Sequence, residues 1–262
     1  MAIRFMKTSI INIFHTICIL LCVGSFAHEK KPLTSEQIKL PKLIVLSEVY
    51  PPYQVVSKEG ELYGWSTDKV KALMTQARID HKIDILPWAR AYQLALIKKN
   101  TLIYSLLRTD SREDLFHWIA PLCTVDFSLY RLKSNTYIEV NSMIDAKKYL
   151  IAAQKGQAST EYLLSMGFED EKNLSVSYHN DNFIQMLVHG RVELIILSTS
   201  YVQSLKSKNV LNINEIEAIY SIEYLRKSLY LAASLNTSPV MLKKLQKAYD
   251  ELLPQFDSAC HD

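Results

Sequence analysis

The sequence predicts an α/β protein of two lobes, each a small, mostly parallel sheet flanked by helices, with two crossings between the lobes acting as a hinge. From Leu43 onward, short apolar runs alternate with amphipathic stretches, the pattern of strands and helices packed in layers. The alternation then repeats from about Leu150 in a second set of similar size. A last strand and helix do not complete a third unit, so they return to the first lobe. The resulting division is residues 28–128 for the first part of lobe one, 129–220 for lobe two and 221–262 for the return.

Each element has its own signal. KLIVLSEV reads as a strand. Past a turn at Gly64, STDKVKALMTQARI reads as a helix with Ser66 or Thr67 as its N-cap and Val70, Leu73, Met74 and Ala77 on one face. HKIDILP as strand, WARAYQLALIKK as helix and TLIYSLL as strand complete the first set. The second set runs LIAAQKG (strand), STEYLLSMGF (helix), NLSVSYHN (strand), DNFIQMLVHGR (helix, with Gly190 near its end) and VELIILS (strand). RKSLYLAASL is the returning strand, followed by a helix opened by Ser238 and Pro239 with Met241, Leu245, Ala248 and Leu252 along one side. The crossings fall near 124–133 and 216–226, where CTVDFSLYRL and IEAIYSIEYL are rich in β-branched and aromatic residues and contain no flexible linker. The cleft is then bounded by the carboxyl ends of the strands, where small ligands bind in open α/β sheets.

The first residues form a leader. Arg4 and Lys7 precede an apolar run from Ile10 to Phe26 that ends in Ser25-Phe26-Ala27, which reads as a secretory signal peptide cut after Ala27 and export to the periplasm. The remaining chain of about 235 residues is long enough for two lobes with cores of their own. The whole chain has 30 Lys and Arg against 27 Asp and Glu, and losing Arg4 and Lys7 leaves an excess of one positive charge. Without a basic tract or a net field, the sequence gives no sign of a nucleic-acid or anionic-membrane partner. Cys18 and Cys22 leave with the leader; Cys123 and Cys260 are too few for a zinc site, and in an oxidising compartment they are free to pair with each other. The histidines show no metal-ligand spacing and no Gly-x-Ser-x-Gly motif occurs, so neither a metal, a cofactor nor a serine hydrolase site is expected.

The stretch RTDSREDLFHWIAP sets Arg108 and Arg112 around Thr109, Asp110 and Ser111 at the end of an apolar strand. Hydroxyls and a fixed guanidinium at a strand end suit a small anion, because the planar donor fork matches a carboxylate bidentately. The alternative is a solvated turn whose arginines pair with Glu113 and Asp114.

In order and spacing, EVYPPYQ, ELYGWSTDKVKALM, LPWARAYQLAL, TLIYSLLRTDSREDLFHWIAPL, IAAQKGQASTEYLL, HGRVELIILS and SLYLAAS resemble the family 3 extracellular solute-binding proteins, which in bacteria capture polar amino acids and related solutes for ABC importers. The resemblance covers most of the chain after the leader and implies the two-lobed periplasmic-binding-protein fold. It places Arg112 where the family's arginine grips the ligand α-carboxylate, while Arg108 either braces the turn or faces Asp110. Tyr50 is the first choice for the aromatic that lies against the ligand and Tyr53 the second. Trp88 and Arg90 open a helix pointing at the cleft, and Ser105 matches a ligand-contacting serine. Gly156, Gln157 and Ser198 are the contacts expected from the second lobe. Three positions depart from the pattern. Ser198 stands where a carboxylate usually pairs with an α-ammonium, Leu107 replaces a second serine, and Gln157 and Ala158 replace hydroxyl residues. An ammonium group would then need Glu48, Asp126 or a displaced acid as its partner.

The resemblance implies a monomeric binder, not an enzyme. Its ligand would be a small carboxylate-bearing or amino-acid-like solute and its partner an ABC permease in the inner membrane. The alternatives are a lyase on the same scaffold, similar to cyclohexadienyl dehydratases, and a periplasmic partner of a ligand sensor. A lyase needs a general acid in the cleft, which neither Ser198 nor Leu107 provides.

Overall fold

The computed structural model describes residues 41–179, 182–253, 256 and 260. The expected leader lies outside these residues. In chain order the first elements are β1 (Leu43–Ser47), a hairpin of β2 (Val55–Val56) and β3 (Leu62–Tyr63), α1 (Trp65–Ala77), β4 (His81–Ile85), α2 (Trp88–Ile97) and β5 (Thr101–Leu107). A 3₁₀ segment (Asp110–Leu115) leads into β6 (Phe116–Val125). Then come β7 (Phe127–Leu132), α3 (Met143–Ala146), β8 (Ile151–Gln154), α4 (Ala158–Ser165), β9 (Leu174–Ser177), α5 (Phe183–Val188), β10 (Leu194–Ser198), α6 (Thr199–Ser207) and β11 (Ile216–Ser221). The return is β12 (Lys227–Ser234) and α7 (Pro239–Leu252).

The strands form two five-stranded sheets, ordered β4-β1-β5-β12-β6 and β11-β7-β10-β8-β9. In the first, β1 pairs in parallel with β4 and β5, while β12 runs antiparallel between β5 and β6. In the second, β10, β8 and β9 are parallel and β7 joins them antiparallel, with β11 on its outer edge. The helix-connected strands are therefore parallel, and the strands that carry the crossings are antiparallel. The sequence reading left β6, β7 and β11 out as strands and took parts of them for connection. The crossing is in fact shorter: Asp126 alone separates β6 from β7, and residues 222–226 bring the chain back. The β-branched and aromatic residues of CTVDFSLYRL build the two strands themselves, which is what such residues favour.

Both faces of each sheet are covered, so the central strands are mostly apolar, and every residue of β10, Ser198 included, is buried. The main core runs from Leu43, Val70 and Leu102 through Val125 and Ile222 at the crossings to Ile151 and Leu194. On the other face of the first sheet Ala91 and Ala95 of α2 meet Leu46, Ile103 and Leu106. Phe183, Leu187 and Val202 cover the corresponding face of the second. α7 has Ser238 as N-cap and Pro239 at its first position, buries Met241, Leu245 and Ala248, and packs on α1. Cys260 is disulfide-bonded to Cys123 of β6 with Cα atoms 5.2 Å apart.

α1 begins one residue before the expected cap. Gly64 is its N-cap, at φ 119°, and Ser66 and Thr67 lie buried inside the first turn. The amides of Trp65, Ser66 and Thr67 donate to the carbonyls of Pro52 and Tyr53 at 3.1–3.3 Å, so backbone replaces a capping side chain. A Cβ on Gly64 would stand 2.5 Å from the Pro52 oxygen. This close approach fixes the Tyr50–Tyr53 turn beneath the carboxyl end of β1.

Candidate functional site

The carboxyl ends of the two sheets face each other, as the connectivity requires. The first lobe contributes Glu48 and Tyr50 beyond β1, Trp88 beyond β4, Ser105 in β5 and Arg112 in the 3₁₀ segment. The second contributes Gln154 at the end of β8, Gly156 and Gln157 before α4, and Ser198 at the end of β10. A cavity of about 20 Å³ lies between them, lined among others by Glu48, Tyr50, Gln54, Trp88, Ser105 and Gln157. It has room for about one water molecule. The lobes are closed on each other.

Arg112 is 1% exposed. Its Nε donates to Glu161 Oε2 at 3.0 Å and its Nη2 to Glu161 Oε1 at 2.7 Å, a bidentate pair across the cleft. Nη2 also donates to the Gly156 carbonyl (2.9 Å) and Nη1 to that of Leu107 (3.4 Å), while the guanidinium lies 4.9 Å from the centre of the Tyr92 ring. The carboxylate on this guanidinium is neither Glu113 nor Asp114, the partners of the solvated-turn alternative. Glu161, in the first turn of α4, supplies it. Arg108 is a brace: it grips Glu113 through Nε (2.7 Å) and Nη2 and lies against the Trp118 and Tyr230 rings. Its partner is Glu113, not Asp110, and the guanidinium holds the Glu113 carboxyl below its ordinary pKa.

The Tyr50 hydroxyl donates to Ser198 Oγ at 3.0 Å and accepts the Ser198 N–H at 3.3 Å. Burial pushes the Tyr50 phenol well above its ordinary pKa despite these bonds, so it stays a neutral donor. Its ring is stacked between Tyr53 (5.9 Å) and Tyr201 of α6 (4.7 Å). Ser198 Oγ also accepts from the Tyr201 N–H, capping α6. Trp88 is buried and donates Nε1–H to the Gly156 carbonyl at 2.7 Å, so one carbonyl of lobe two receives both Trp88 and Arg112 of lobe one. Glu48 is buried and accepts from Gln154 (2.8 Å) and Gln157 (2.6 Å). Ser105 sits in the left-handed region (φ 57°) inside β5, opposite an irregularity in its pairing with β12, and accepts from Gln54. Gln54 Oε1 is buried without a hydrogen-bond partner among the described residues.

Two expected contacts lie elsewhere. Tyr53 is fully buried, packs edge-on against Trp65 and does not line the cleft cavity. Arg90 is exposed, on the outer side of a helix whose buried residues are Trp88, Ala91, Tyr92 and Ala95. Sequence reasoning passed over Glu161, Gln154 and Gln54. Glu161 was detectable only as an acid one turn beyond the Gly156 bend, since its partner is 49 residues away. At the mouth of the cleft an open groove of about 290 Å³ runs beside Glu161, lined also by Tyr92, Thr109, Ser111, Tyr162 and Tyr224.

No protein-family model matches the sequence, and no curated protein matches it. Solved structures do match. An ancestral arginine-binding protein bound to arginine superposes with a TM-score of 0.70 at 16% identity, covering 82% of this chain and 94% of that one. A histidine kinase sensor domain with similarity to periplasmic binding proteins gives 0.72 at 12% identity, covering 83% and 92%. The arginine-, lysine-, histidine-binding protein ArtJ from Geobacillus stearothermophilus gives 0.69 at 16%, covering 82% and 90%. At these identities the likeness is one of fold: the chain has the two-lobed fold of the periplasmic binding proteins.

Proposed function

We propose that this chain is a periplasmic solute-binding protein of the family 3 extracellular type, which captures a small carboxylate-bearing, amino-acid-like solute between its two lobes and presents it to an ABC permease. One observation carries the reading. The carboxyl ends of the two sheets bring a buried guanidinium, a buried carboxylate, amides and aromatic faces to one narrow cleft, as Arg112, Glu48, Gln154, Gln157, Tyr50 and Trp88. Arg112 is the seat for a ligand carboxylate. Glu48 supplies the charge that neutralises a ligand ammonium and Gln54 Oε1, without a partner among the described residues, a further acceptor; Ser198, a neutral hydroxyl, can accept a hydrogen bond but cannot neutralise the charge. We read the site as binding, not catalytic.

A thermal-shift screen of amino acids, their derivatives and small carboxylates tests this, because a ligand that binds the folded state raises Tm by mass action. The expected best hit carries a carboxylate, and Arg112→Ala weakens its binding several-fold. A best hit without an anionic group, or one that Arg112→Ala binds equally well, overturns the assignment. NMR of the incubated hit separates binder from lyase, since a binder returns it unchanged. The sensor domain with this fold favours a second reading, in which the loaded protein docks to a membrane kinase. Co-purification with a permease or with a kinase distinguishes them.

A further inference from the structure

We propose that Glu161 is a resident carboxylate: it occupies the Arg112 seat in the free protein, holds the lobes together there, and must be displaced by any incoming ligand carboxylate. The proposal rests on the solute-binding reading for the ligand, and on the geometry alone for the closure. Glu161 uses the Nε and Nη2 edge of Arg112, one of the two edges on which a guanidinium takes a carboxylate bidentately. On the other edge Nη2 is bonded to Gly156 and Nη1 gives one of its two hydrogens to Leu107, so no second pair of donors is open to a bidentate carboxylate. The seat therefore takes one carboxylate at a time. The two partners also differ in burial: the Arg112 side chain is 1% exposed and that of Glu161 34%.

That asymmetry gives the exchange its direction. The buried Arg112 guanidinium cannot leave its pocket cheaply, so it needs a carboxylate in every closed form. Glu161 borders the open groove lined by Thr109, Ser111 and Tyr162 and already receives a hydrogen bond from Ser111 Oγ at 3.4 Å. It has a solvated place to go. A ligand carboxylate thus gains only the difference between its own bonds to Arg112 and those of Glu161, which makes Glu161 a specificity-determining residue. Ligands whose sole feature is a carboxylate are rejected, and those with further contacts to Glu48 or the aromatic faces are kept.

Acetate is the probe, because it carries the contested group and nothing else. Wild type, Glu161→Ala and Glu161→Ala/Arg112→Ala are titrated with sodium acetate against sodium chloride at matched ionic strength, reading Tm and the radius of gyration. The expected result is that Glu161→Ala is more expanded than wild type, and that tens of millimolar acetate, not chloride, raises its Tm by several degrees and restores the wild-type radius. Wild type and the double variant respond at least ten-fold more weakly. Equal acetate responses in all three proteins overturn the proposal, as does a Glu161→Ala protein as compact as wild type before acetate is added. If Glu161→Ala does not fold, Glu161→Gln keeps the side-chain volume, and a wild-type radius in that variant overturns it equally. The solute screen on wild type fails or succeeds separately. A solute hit with no acetate rescue removes the displacement alone, and rescue with no hit removes the solute-binding reading alone.

Discussion

Gly64 stands where a methyl group has no room, at φ 119° with two backbone oxygens within 2.8 Å of where its Cβ would be. Gly64→Ala is expected to cost about 2–4 kcal/mol, from backbone strain and the forced movement of the Pro52–Tyr53 turn. Urea unfolding with a lower midpoint and an unchanged slope is the check. Two buried phenols give a second expectation at this scale. Burial pushes Tyr53 and Tyr104 up to about 12 from an ordinary 10.0. The fold holds them neutral, so above pH 10 the unfolded chain releases protons that the folded one keeps. Their stabilisation is whole below pH 10 and is lost as pH rises from 10 to 12, at about 1.4 kcal/mol per unit for each phenol. Tyr53 faces Ser200, but among the described residues its hydroxyl makes no hydrogen bond of normal geometry. Tyr53→Phe should therefore be close to neutral at pH 8 and should lose about one proton's worth of the alkaline slope. Equal slopes in both proteins would show that Tyr53 ionises normally. The same residues show what was legible in the site. Arg112 stood out only through the family resemblance, because the hydroxyl turn at the strand end fits Arg108 and Arg112 alike and fits a solvated turn as well. Glu161 did not, because a carboxylate in a helical first turn looks the same whether it meets water or a guanidinium from another lobe.

Among the elements, those with a period and a boundary signal were readable in the sequence. α1 shows its face through Val70, Leu73, Met74 and Ala77, and α7 through Met241, Leu245 and Ala248 after an opening Pro239. The strands β6 and β7 were not, because they are joined through Asp126 alone, with no Gly, Pro or Asn at the junction to mark it. What makes that crossing short also makes it directional: Thr199 Oγ1 donates to the Asp126 carboxylate at 2.6 Å, tying the hinge to the first turn of α6. The chain's far end is tied by the Cys123–Cys260 bridge, which closes a loop of sequence separation 137. Loop entropy sets a ceiling of about 4–5 kcal/mol for a ring of that order, and measured bridges usually deliver about 2–4. Cys260→Ser is expected to lose an amount in the lower range, and the denatured, unreduced protein from residue 28 onward should titrate no free thiol. Two titrated thiols would show the pair open.

At the scale of the whole molecule, the place of the cleft follows from connectivity, since parallel strands linked through helices present their carboxyl ends on one side. Its closed state does not, because closure is a sum of pairings between residues far apart in sequence. Tyr50 reaches Ser198, Glu48 reaches Gln154 and Gln157, and Trp88 reaches Gly156, each tie joining one lobe to the other. A ligand compacts such a molecule only if the open form dominates beforehand, for it can shift a population no further than the population allows. With these ties and the Arg112–Glu161 pair already made, wild type should give the same radius of gyration with and without a saturating solute from the thermal-shift screen. Tyr50→Ala removes the stack on Tyr201 and the hydroxyl that serves Ser198, while leaving Arg112 and Glu48 in place. Losing a buried aromatic contact of this kind costs about 3–5 kcal/mol, enough to tip a closed majority toward the open form. The variant should therefore be expanded when free and should contract on adding the solute. A wild-type radius that falls on adding solute would place the open form in the majority and remove the inter-lobe ties as the cause of closure.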